Sequence, residues 1–365
     1  MQKYAAYFGK TKPKGVHMIR KTGLAIALVA ALALTAGNVA AADDFFKDKT
    51  IRVIVGYAPG GGYDTYTRQI VRHLGKHLPG NPSFIVQNMT GAGSLIAANY
   101  IQKRAKRDGT VLGVWNNGFV TAQALGDPKV RIKSQDLTWI GAPVKGIPAC
   151  AFMGWSGVRT LKDMSDPKKP IKMGGTRAGA TGVDLPKILN KTIGTNFDVV
   201  AGYSGTATSR IAMQSKEVAG ACWGWESMRV TARAMLDAKG DDKMIPVLTH
   251  RRIPDPELKD ALIIPDVVAK VGGKQHLETY TGWVNQYEFQ RPFSAPPGVP
   301  AKQVEQLRTA FQKTLEDPAF LKEAKEAKLI IEYVSGQDIE QFVDQILGMS
   351  AASKEALSFL VRKRK

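Results

Sequence analysis

Four short segments rich in glycine and other small residues are the part of this chain best suited to chemistry. They span residues 59–64, 90–94, 176–182 and 203–206, and each lies between an apolar run and a segment with helical periodicity. A loop from a strand to a helix presents free backbone N–H groups and the positive end of the helix dipole, which together attract anions. The four segments therefore predict an anion-binding site.

The known phosphate-binding motifs do not fit these segments. The Walker pattern G-x-x-x-x-G-K-[ST] would need Lys and then Ser or Thr where the chain has Gly62 and Tyr63. The dinucleotide pattern G-x-G-x-x-[G/A] can begin at Gly91, but its last position is Ile96 and no acidic residue ends the next strand. A nucleotide is therefore not expected, and no cofactor is predicted.

Catalytic and metal-binding patterns are weaker still. The hydrolase motif G-x-S-x-G fails at 202–206, because its last position is Thr206. His73 and His77 have a spacing that could hold a metal on one helix, but a third ligand is missing and an exposed basic face is the simpler interpretation. No catalytic residue and no metal site are predicted. Trp223 is interpreted as lining a cleft, with a core position as the alternative.

The elements that would position the loops alternate between strand and helix in two blocks. In the first block, strands at 51–55, 84–86 and 110–115 enclose helical patterns at 63–77 and 95–105. The second block has strands at 171–174, 199–201, 218–222 and 245–249 and helices at 184–191, 208–216 and 229–239. Helices are predicted at 300–315, 318–327 and 338–360. Such βαβ units form largely parallel sheets, whose carboxyl edges bind ligands.

Asp64, near the first helix, is interpreted as its structural cap.

The N-terminus has the layout of a secretory signal peptide. A basic stretch beginning at Met18 precedes an apolar run of 14 residues at 23–36, and an A-x-A site ends at Ala42. Residues 1–42 are therefore predicted to be removed on export to the periplasm, with translation starting either at Met1 or at Met18. The apolar run is short for a retained membrane span, which needs about 20 residues.

The net charge of the chain limits which kinds of molecule it is expected to bind. The whole chain has a net charge of +19; residues 1–42 hold six of its 51 Lys and Arg and no acid, which leaves 45 basic and 32 acidic residues, or +13. These cations are scattered rather than interleaved with aromatic residues, so no nucleic-acid partner is predicted.

Cys150 and Cys222 could form one disulfide in an oxidising compartment, or remain two buried thiols.

Several segments resemble the tripartite tricarboxylate transporter receptors, also called Bug proteins. The stretch VGYAPGGGYD is similar to their PFxPGGGxD loop, and NMTGAGSLIAANYIQKRAKRDGTVLG to their NRPGAGGxxGxxxVAxAxPDGYTL segment. VVAGYSGTATSRIAMQSKEVAGAC resembles VPYKGxxPAxxDLLGGQVDxxF, and RPFSAPPGVPAKQVEQL resembles YGLFAPAGTPxxVVxxL. GGTRAGATGVDLP stands where the family has GSSGxGSxxHL, with Arg177 added and the family's His replaced by Asp184.

The resemblance implies a type II periplasmic-binding-protein fold of the α/β class, with two lobes, each a mixed and mostly parallel sheet flanked by helices, and a ligand cleft between them. Lobe one is expected at 43–145 plus 259–365, and lobe two at 146–258. The implied function is a monomeric periplasmic receptor that binds a small carboxylate and delivers it to permease subunits of a tripartite tricarboxylate-type transporter. The alternatives are a secreted hydrolase using the same cleft, or a sensor subunit for a membrane kinase.

The predicted contacts divide between the two lobes. Lobe one is expected to contribute Tyr57, Gly61, Gly62, Tyr63, Gly93, Ser94 and Asn117. Lobe two is expected to contribute Thr176, Arg177, Gly179, Ala180, Thr181, Tyr203 and Trp223. Backbone N–H groups would bind the anion, and Tyr and Arg side chains would orient it, with Arg177 able to pair bidentately with a carboxylate.

Overall fold

Two six-stranded sheets organise residues 44–361, the part of the chain that a computed structural model describes. The first sheet contains β1 (Thr50–Val55), β2 (Ser83–Asn88), β3 (Val111–Val114), β4 (Thr138–Ala142), β11 (Phe293–Ala295) and β12 (Val334–Ser335). The second contains β5 (Pro148–Met153), β6 (Ile171–Gly175), β7 (Phe197–Ala201), β8 (Gly220–Gly224), β9 (Met244–Thr249) and β10 (Leu262–Ile263). The predicted signal peptide, 1–42, and the start at Met18 lie outside the described residues.

Helices flank both sheets. Those before the second sheet are α1 (Gly62–Leu74), α2 (Leu95–Lys103) and α3 (Gly118–Ala124). Within the second block lie α4 (Leu161–Met164), α5 (Thr181–Ile193), α6 (Thr206–Gln214), α7 (Trp225–Thr231), α8 (Arg233–Asp237) and α9 (Ile264–Val284). The chain continues through α10 (Ala301–Glu316), α11 (Pro318–Glu326), α12 (Gly336–Leu347) and α13 (Ala351–Leu357). None of the described helices is long and apolar enough to cross a membrane.

Each sheet is mixed, and the predicted parallel units form one end of it. The first has the order β12-β4-β11-β3-β1-β2, with β1 parallel to β2 and β3, and β11 antiparallel to β3 and β4. The second has the order β10-β9-β5-β8-β6-β7, with β6 parallel to β7 and β8, and β5 antiparallel to β8 and β9. The four predicted loops all connect a strand to the helix that follows it.

Apolar periodicity explains how the helices dock. In α1, Tyr66, Ile70 and Leu74 recur every four residues and pack with Ile51 and Val53 of β1 in one buried cluster. The sequence of β1, TIRVIV, is apolar beyond its first residues because the strand is covered on both faces there. Burial of this helix face against the sheet fixes where α1 begins, and so places the loop 59–64 at the carboxyl edge of the sheet.

Two stretches of chain that connect the sheets lie side by side. The segment between β4 and β5 and the segment before β11 form an isolated antiparallel bridge between Val144 and Gln290. The adjacent Gly146 also donates its N–H to the Tyr287 carbonyl at 2.7 Å. This paired crossing lies at the base of the space between the sheets.

The division into lobes at 145/146 and 258/259 stays a prediction, but its second boundary conflicts with the packing. The strand β10 pairs with β9, and Ile264, Val268, Tyr280 and Trp283 of α9 join the core of the second sheet. The chain returns to the first sheet only after Val284, because β11 is the next strand of that sheet. A boundary near residue 285 would keep α9 with the sheet that it covers.

Cys150 and Cys222 form a disulfide between directly paired residues of β5 and β8. Both sulfur atoms are buried in the core of the second sheet. The bond joins two strands that are 72 residues apart in the sequence, and it lies beside the carboxyl edge of β8.

We expect the double variant Cys150→Ala/Cys222→Ala to unfold more easily than the native chain. A cross-link that closes a loop of 72 residues stabilises a fold by about 4 kcal/mol through the entropy of the unfolded chain. The measurement is urea unfolding of the oxidised protein and of the double variant. Two titratable thiols per unfolded, unreduced chain would contradict the disulfide itself.

Candidate functional site

A cavity of about 660 Å³, part of it open to solvent, lies between the carboxyl edges of the two sheets. Its walls are the ends of β6 and β8, the first turns of α1, α5, α6 and α7, and the crossing segment before β11. Eight of the predicted contacts line it: Tyr57, Gly61, Gly62, Tyr63, Thr176, Ala180, Thr181 and Trp223.

Three helices of nine residues or more begin at this cavity, and their N-caps carry no polar side chain. The caps are Gly61 before α1, Ala180 before α5 and Gly205 before α6. The first-turn N–H groups of these helices are thus not satisfied by a capping hydroxyl or carboxylate from the N-cap. Three positive dipole ends and their N–H groups converge on one space, which favours an anion there.

Asp64 occupies a different position from the one predicted. Because α1 begins at Gly62, Asp64 lies inside its first turn and does not precede it. Its carboxylate accepts a hydrogen bond from the Gly60 N–H at 2.9 Å, and pairs with Arg68 at 2.9 Å. The side chain therefore fixes the glycine loop from within the helix, and Gly61 takes the N-cap position.

Five cavity-lining side chains have buried polar atoms without a hydrogen-bond partner among the described residues. They are Oγ1 of Thr176, Oγ1 of Thr206, Nε1 of Trp223, Oγ of Ser227 and Nε of Arg291. An indole N–H and a guanidinium N–H can only donate, and a hydroxyl can donate as well. Each buried group left unpaired costs roughly 1–3 kcal/mol, so the cavity is suited to a ligand rich in acceptor atoms.

Arg291 forms a buried ion pair with Glu226 at the inner wall. The Nη1 and Oε1 atoms are 2.9 Å apart, and the two side chains are 3% and 0% exposed. The second Glu226 oxygen accepts from the Ile147 N–H at 3.0 Å. Burial alone would lower the pKa of Arg291, but the Glu226 carboxylate and the nearby tyrosines raise it above its usual value. Arg291 is therefore a fixed positive charge.

Two tyrosines form the opposite wall. The rings of Tyr57 and Tyr63 lie 4.6 Å apart, and the Tyr63 hydroxyl donates to Oδ1 of Asn117 at 3.2 Å. Burial raises the pKa of Tyr57 to about 12, against the hydroxyls of Ser94 and Thr176, and it raises the pKa of Tyr63 well above its usual value. Both phenols are neutral at physiological pH and can donate hydrogen bonds.

Other predicted contacts lie behind the cavity wall. Ser94 accepts from the Asn116 N–H at 2.9 Å, and Asn117 donates to the Gln286 carbonyl. Asn116 in turn donates to the Gly179 carbonyl at 2.9 Å, which links α3 with the loop before α5. Ser94, Asn117 and Gly179 do not line the cavity, whereas Asn116 lines it and also connects the two sides of the cleft.

Arg177 and Tyr203 were predicted as ligand contacts, but their side chains have other partners here. Arg177 pairs with Asp127 at 3.5 Å and lies over the Phe119 ring at 4.9 Å. A Cβ atom on Gly93 would lie 2.1 Å from Cγ of Arg177, so glycine is required at this contact. The Tyr203 hydroxyl donates to Glu217 at 2.7 Å. Arg177 therefore joins the two sides of the cleft at its edge.

Several cavity residues were not predicted from the sequence. They are Asn116, Gly174, Gly175, Gly182, Thr206, Ser209, Ala221, Gly224, Ser227, Gln290 and Arg291. One signal was available: Arg291 begins the stretch RPFSAPPG where the related family segment has tyrosine. A charged residue amid apolar neighbours points to a buried partner or a ligand.

The described residues contain no group of three or more His, Cys, Asp or Glu side chains arranged to hold a metal. His73 lies 3.2 Å from Glu323, and His77 lies 2.7 Å from Asp317. The two histidines thus contact different acidic residues of the helix pair that packs on α1.

Asp184 is a buried carboxyl in the first turn of α5. Its Oδ1 atom accepts from the Gly179 N–H at 3.0 Å, so it shapes the loop that also contacts Asn116. Burial raises the pKa of Asp184 to about 6, and the Gly179 hydrogen bond opposes the shift only in part. The loop therefore contains a group that changes its charge in weakly acidic conditions.

Comparisons with known proteins agree with one another. Residues 66–356 match the family model described as tripartite tricarboxylate transporter family receptor. A UPF0065 protein of Bordetella pertussis is 25% identical over 329 residues, which cover 88% of this chain and 94% of that protein.

Solved structures show the same fold. The periplasmic binding protein BugD has a TM-score of 0.66 at 20% identity, covering 83% of this chain and 95% of its own. MatC from Rhodopseudomonas palustris with bound malate has a TM-score of 0.65 at 19% identity, covering 86% and 99%. An R. palustris protein with adipate has a TM-score of 0.67 at 18% identity, covering 86% and 97%. The fold is the two-lobed type II periplasmic-binding-protein fold, as predicted.

We expect the buried ion pair to show strong coupling in a double-mutant cycle. Glu226→Gln leaves the Arg291 guanidinium buried without its counter-charge, and should destabilise the fold by about 3–5 kcal/mol. Arg291→Met in the same chain should recover most of that loss, because no unpaired charge remains. Urea unfolding of the native chain, both single variants and the double variant measures the coupling; additive losses would contradict it.

We expect Asp184 to make the fold less stable as the pH rises from 4 to 6. Its pKa is about 6 in the fold against 3.8 in the unfolded chain, so the folded state retains the proton longer and this contribution is lost above pH 6. Asp184→Asn should therefore remove about 2 kcal/mol of the difference in unfolding free energy between pH 4 and pH 7.

The control is Asp260→Asn, which makes the same chemical change on an exposed side chain. Urea unfolding at several pH values follows all three proteins. If the native chain and Asp184→Asn keep a constant difference in stability from pH 4 to pH 7, Asp184 does not titrate in that range.

Proposed function

Because the chain belongs to the family of tripartite tricarboxylate transporter receptors, we propose that it binds a small carboxylated organic anion in its interlobe cavity and delivers it to the membrane permease of such a transporter. As a member of this family it is a periplasmic solute-binding receptor. The ligand class and the delivery step are the proposal.

The donor-rich lining of the cavity is the observation that carries the proposal. The unpaired polar atoms of Trp223, Ser227 and Arg291 can each donate a hydrogen bond, and three helix N-termini open onto the same space. No Asp or Glu is among the residues that line the cavity in the described part of the chain. An acceptor-rich anion satisfies these groups, whereas a cation would meet Arg291 and three positive helix ends.

The size of the ligand is limited by the cavity. A volume of about 660 Å³ that is partly open to solvent suits a small organic acid. The malate and adipate bound in two proteins of the same fold are acids of this kind. We propose that one carboxylate lies against the N-terminus of α5, near Ala180 and Thr181, and that Tyr57, Tyr63 and Arg291 contact the rest of the ligand.

Closure is proposed to couple to binding because both sides of the cleft contribute contacts. Gly61 and Gly62 lie at the start of α1, while Thr176 and Trp223 lie on the opposite side. A ligand that touches both sides stabilises the closed arrangement by the sum of its contacts there. Arg177 contributes by pairing with Asp127 at the edge, and Gly93 and Gly179 contribute by close backbone approach.

We expect a small dicarboxylate to raise the melting temperature of the exported protein. A thermal-shift screen should include malate, adipate, citrate, short monocarboxylates and aromatic acids, and calorimetry should then give Kd for each positive acid. Ser227→Ala and Thr206→Val each remove one cavity hydroxyl, and should weaken binding by about 5–10-fold. Stoichiometric recovery of unchanged acid is expected after long incubation.

The matched control is Ser204→Ala, because Ser204 lies in the same loop as Thr206 but outside the cavity lining. Its Kd should stay within about twofold of the native value, as expected for a surface substitution. The proposal fails if no acid in the screen shifts the melting temperature, or if Ser204→Ala weakens binding as much as Thr206→Val. Conversion of the acid to a product would favour the hydrolase alternative.

A further inference from the structure

A groove on the first sheet, outside the cavity, combines a basic rim with exposed apolar side chains. It is lined by Met89, Ile96, Asn99 and Tyr100 together with Lys103, Arg104 and Arg131, and it encloses about 1160 Å³ of open volume. We refer to it as the α2 groove.

The cations of the α2 groove are exposed and lack acidic partners. Lys103, Arg104 and Arg131 form no ion pair with another described residue, and no Asp or Glu lines the groove. Arg52 adds a further exposed guanidinium beside it, held by a 2.7 Å hydrogen bond to the Tyr100 hydroxyl. Such a cluster of one sign produces a local positive potential.

The apolar part of the groove is unusually exposed. Ile96 is 51% exposed on α2. Outside the groove lining, Ile85 on β2 is 55% exposed and pairs in register with Arg52. β2 is also the edge strand of its sheet, with β1 as its only partner among the described strands. Exposed apolar residues rimmed by charge are typical of protein-binding surfaces.

Residues in both walls of the α2 groove are close in the sequence to residues that join the two sides of the cleft. Ile96 follows the loop in which Gly93 packs against Arg177, and Gly91 of the same loop lies against the Ile96 side chain. On the other wall, Arg131 lies four residues after Asp127, which pairs with Arg177. A partner in the groove would therefore be close to the Arg177 contacts that join the two sides of the cleft.

We propose that the α2 groove binds an acidic segment, with at least one apolar side chain, on the membrane protein that receives the solute. Charge complementarity requires acidic residues opposite Lys103, Arg104 and Arg131, and Ile96 and Tyr100 offer an apolar contact. A concave groove favours a protein segment over a flat anionic lipid surface, which could reach the rim alone. The inference rests on the proposed receptor function, since that function supplies the membrane partner.

The test is photo-crosslinking in cells that contain the full chain and its transporter genes. Ile96 is replaced by p-benzoylphenylalanine, and the crosslinked segment is identified by mass spectrometry. The expected adduct is with an acidic segment of an integral membrane protein. Its yield should fall about tenfold in the background Arg104→Glu/Arg131→Glu, because two attractive charges become repulsive.

The matched control uses α9, where Val271 is 52% exposed between the exposed Lys270 and Lys274. Lys270→Glu/Lys274→Glu makes the same change in net charge, and should leave the Ile96 adduct within about twofold, because distant exposed charges are screened. The crosslinker placed at Val271 should not give this adduct.

Four results would overturn the proposal: no adduct at Ile96, an adduct with lipid or with a soluble protein, a segment that is not acidic, or equal losses in the two charge-reversed backgrounds. Solute affinity of Arg104→Glu/Arg131→Glu is measured in parallel and should match the native value. With the native charges in place, no adduct at Ile96 together with intact solute binding overturns the groove proposal alone, whereas no solute binding by the native chain overturns the proposed function.

Discussion

The buried ion pair between Arg291 and Glu226 is the interaction on which the cleft depends. Arg291 lies on the crossing segment before β11, and Glu226 lies in the first turn of α7, so the pair joins the two sheets at the base of the cavity. Both side chains are buried, and each charge is tolerable only while the other is in place. Tyr66 adds to the same contact, with its ring 4.5 Å from the guanidinium and its hydroxyl donating to the Glu226 carbonyl. The arrangement therefore stabilises one geometry of the inner wall.

The edge of the cleft is held by weaker and more exposed contacts. Arg177 reaches Asp127 across the cleft at 3.5 Å, and Arg210 reaches the Gly60 carbonyl at 3.3 Å. Contacts of this length contribute little alone. A rigid base and a weakly joined edge are what a receptor needs if its ligand is to decide between open and closed states.

Local patterns were sufficient to predict the loops and most of the elements, because βαβ units repeat apolar strands and amphipathic helices over short distances. These patterns failed for residues whose role depends on a partner far away in the sequence, and for a helix that a non-helical residue interrupts. The 21-residue helix α9 was missed, since Gly272 and Gly273 interrupt its pattern and Gly273 is non-helical. Arg177 was expected to face a ligand, but its partner Asp127 is 50 residues away. Arg291 was overlooked because only the fold brings it beside Glu226.

The disulfide between β5 and β8 places a covalent bond in the cavity wall, since Cys222 is one of the residues that line the cavity. Thiols stay reduced in the bacterial cytoplasm and oxidise in the periplasm. Maturation of this wall is therefore tied to a compartment as well as to a sequence. If the chain is exported as proposed, this bond forms only after export, so the cavity wall is completed in the compartment where we propose that the solute is bound.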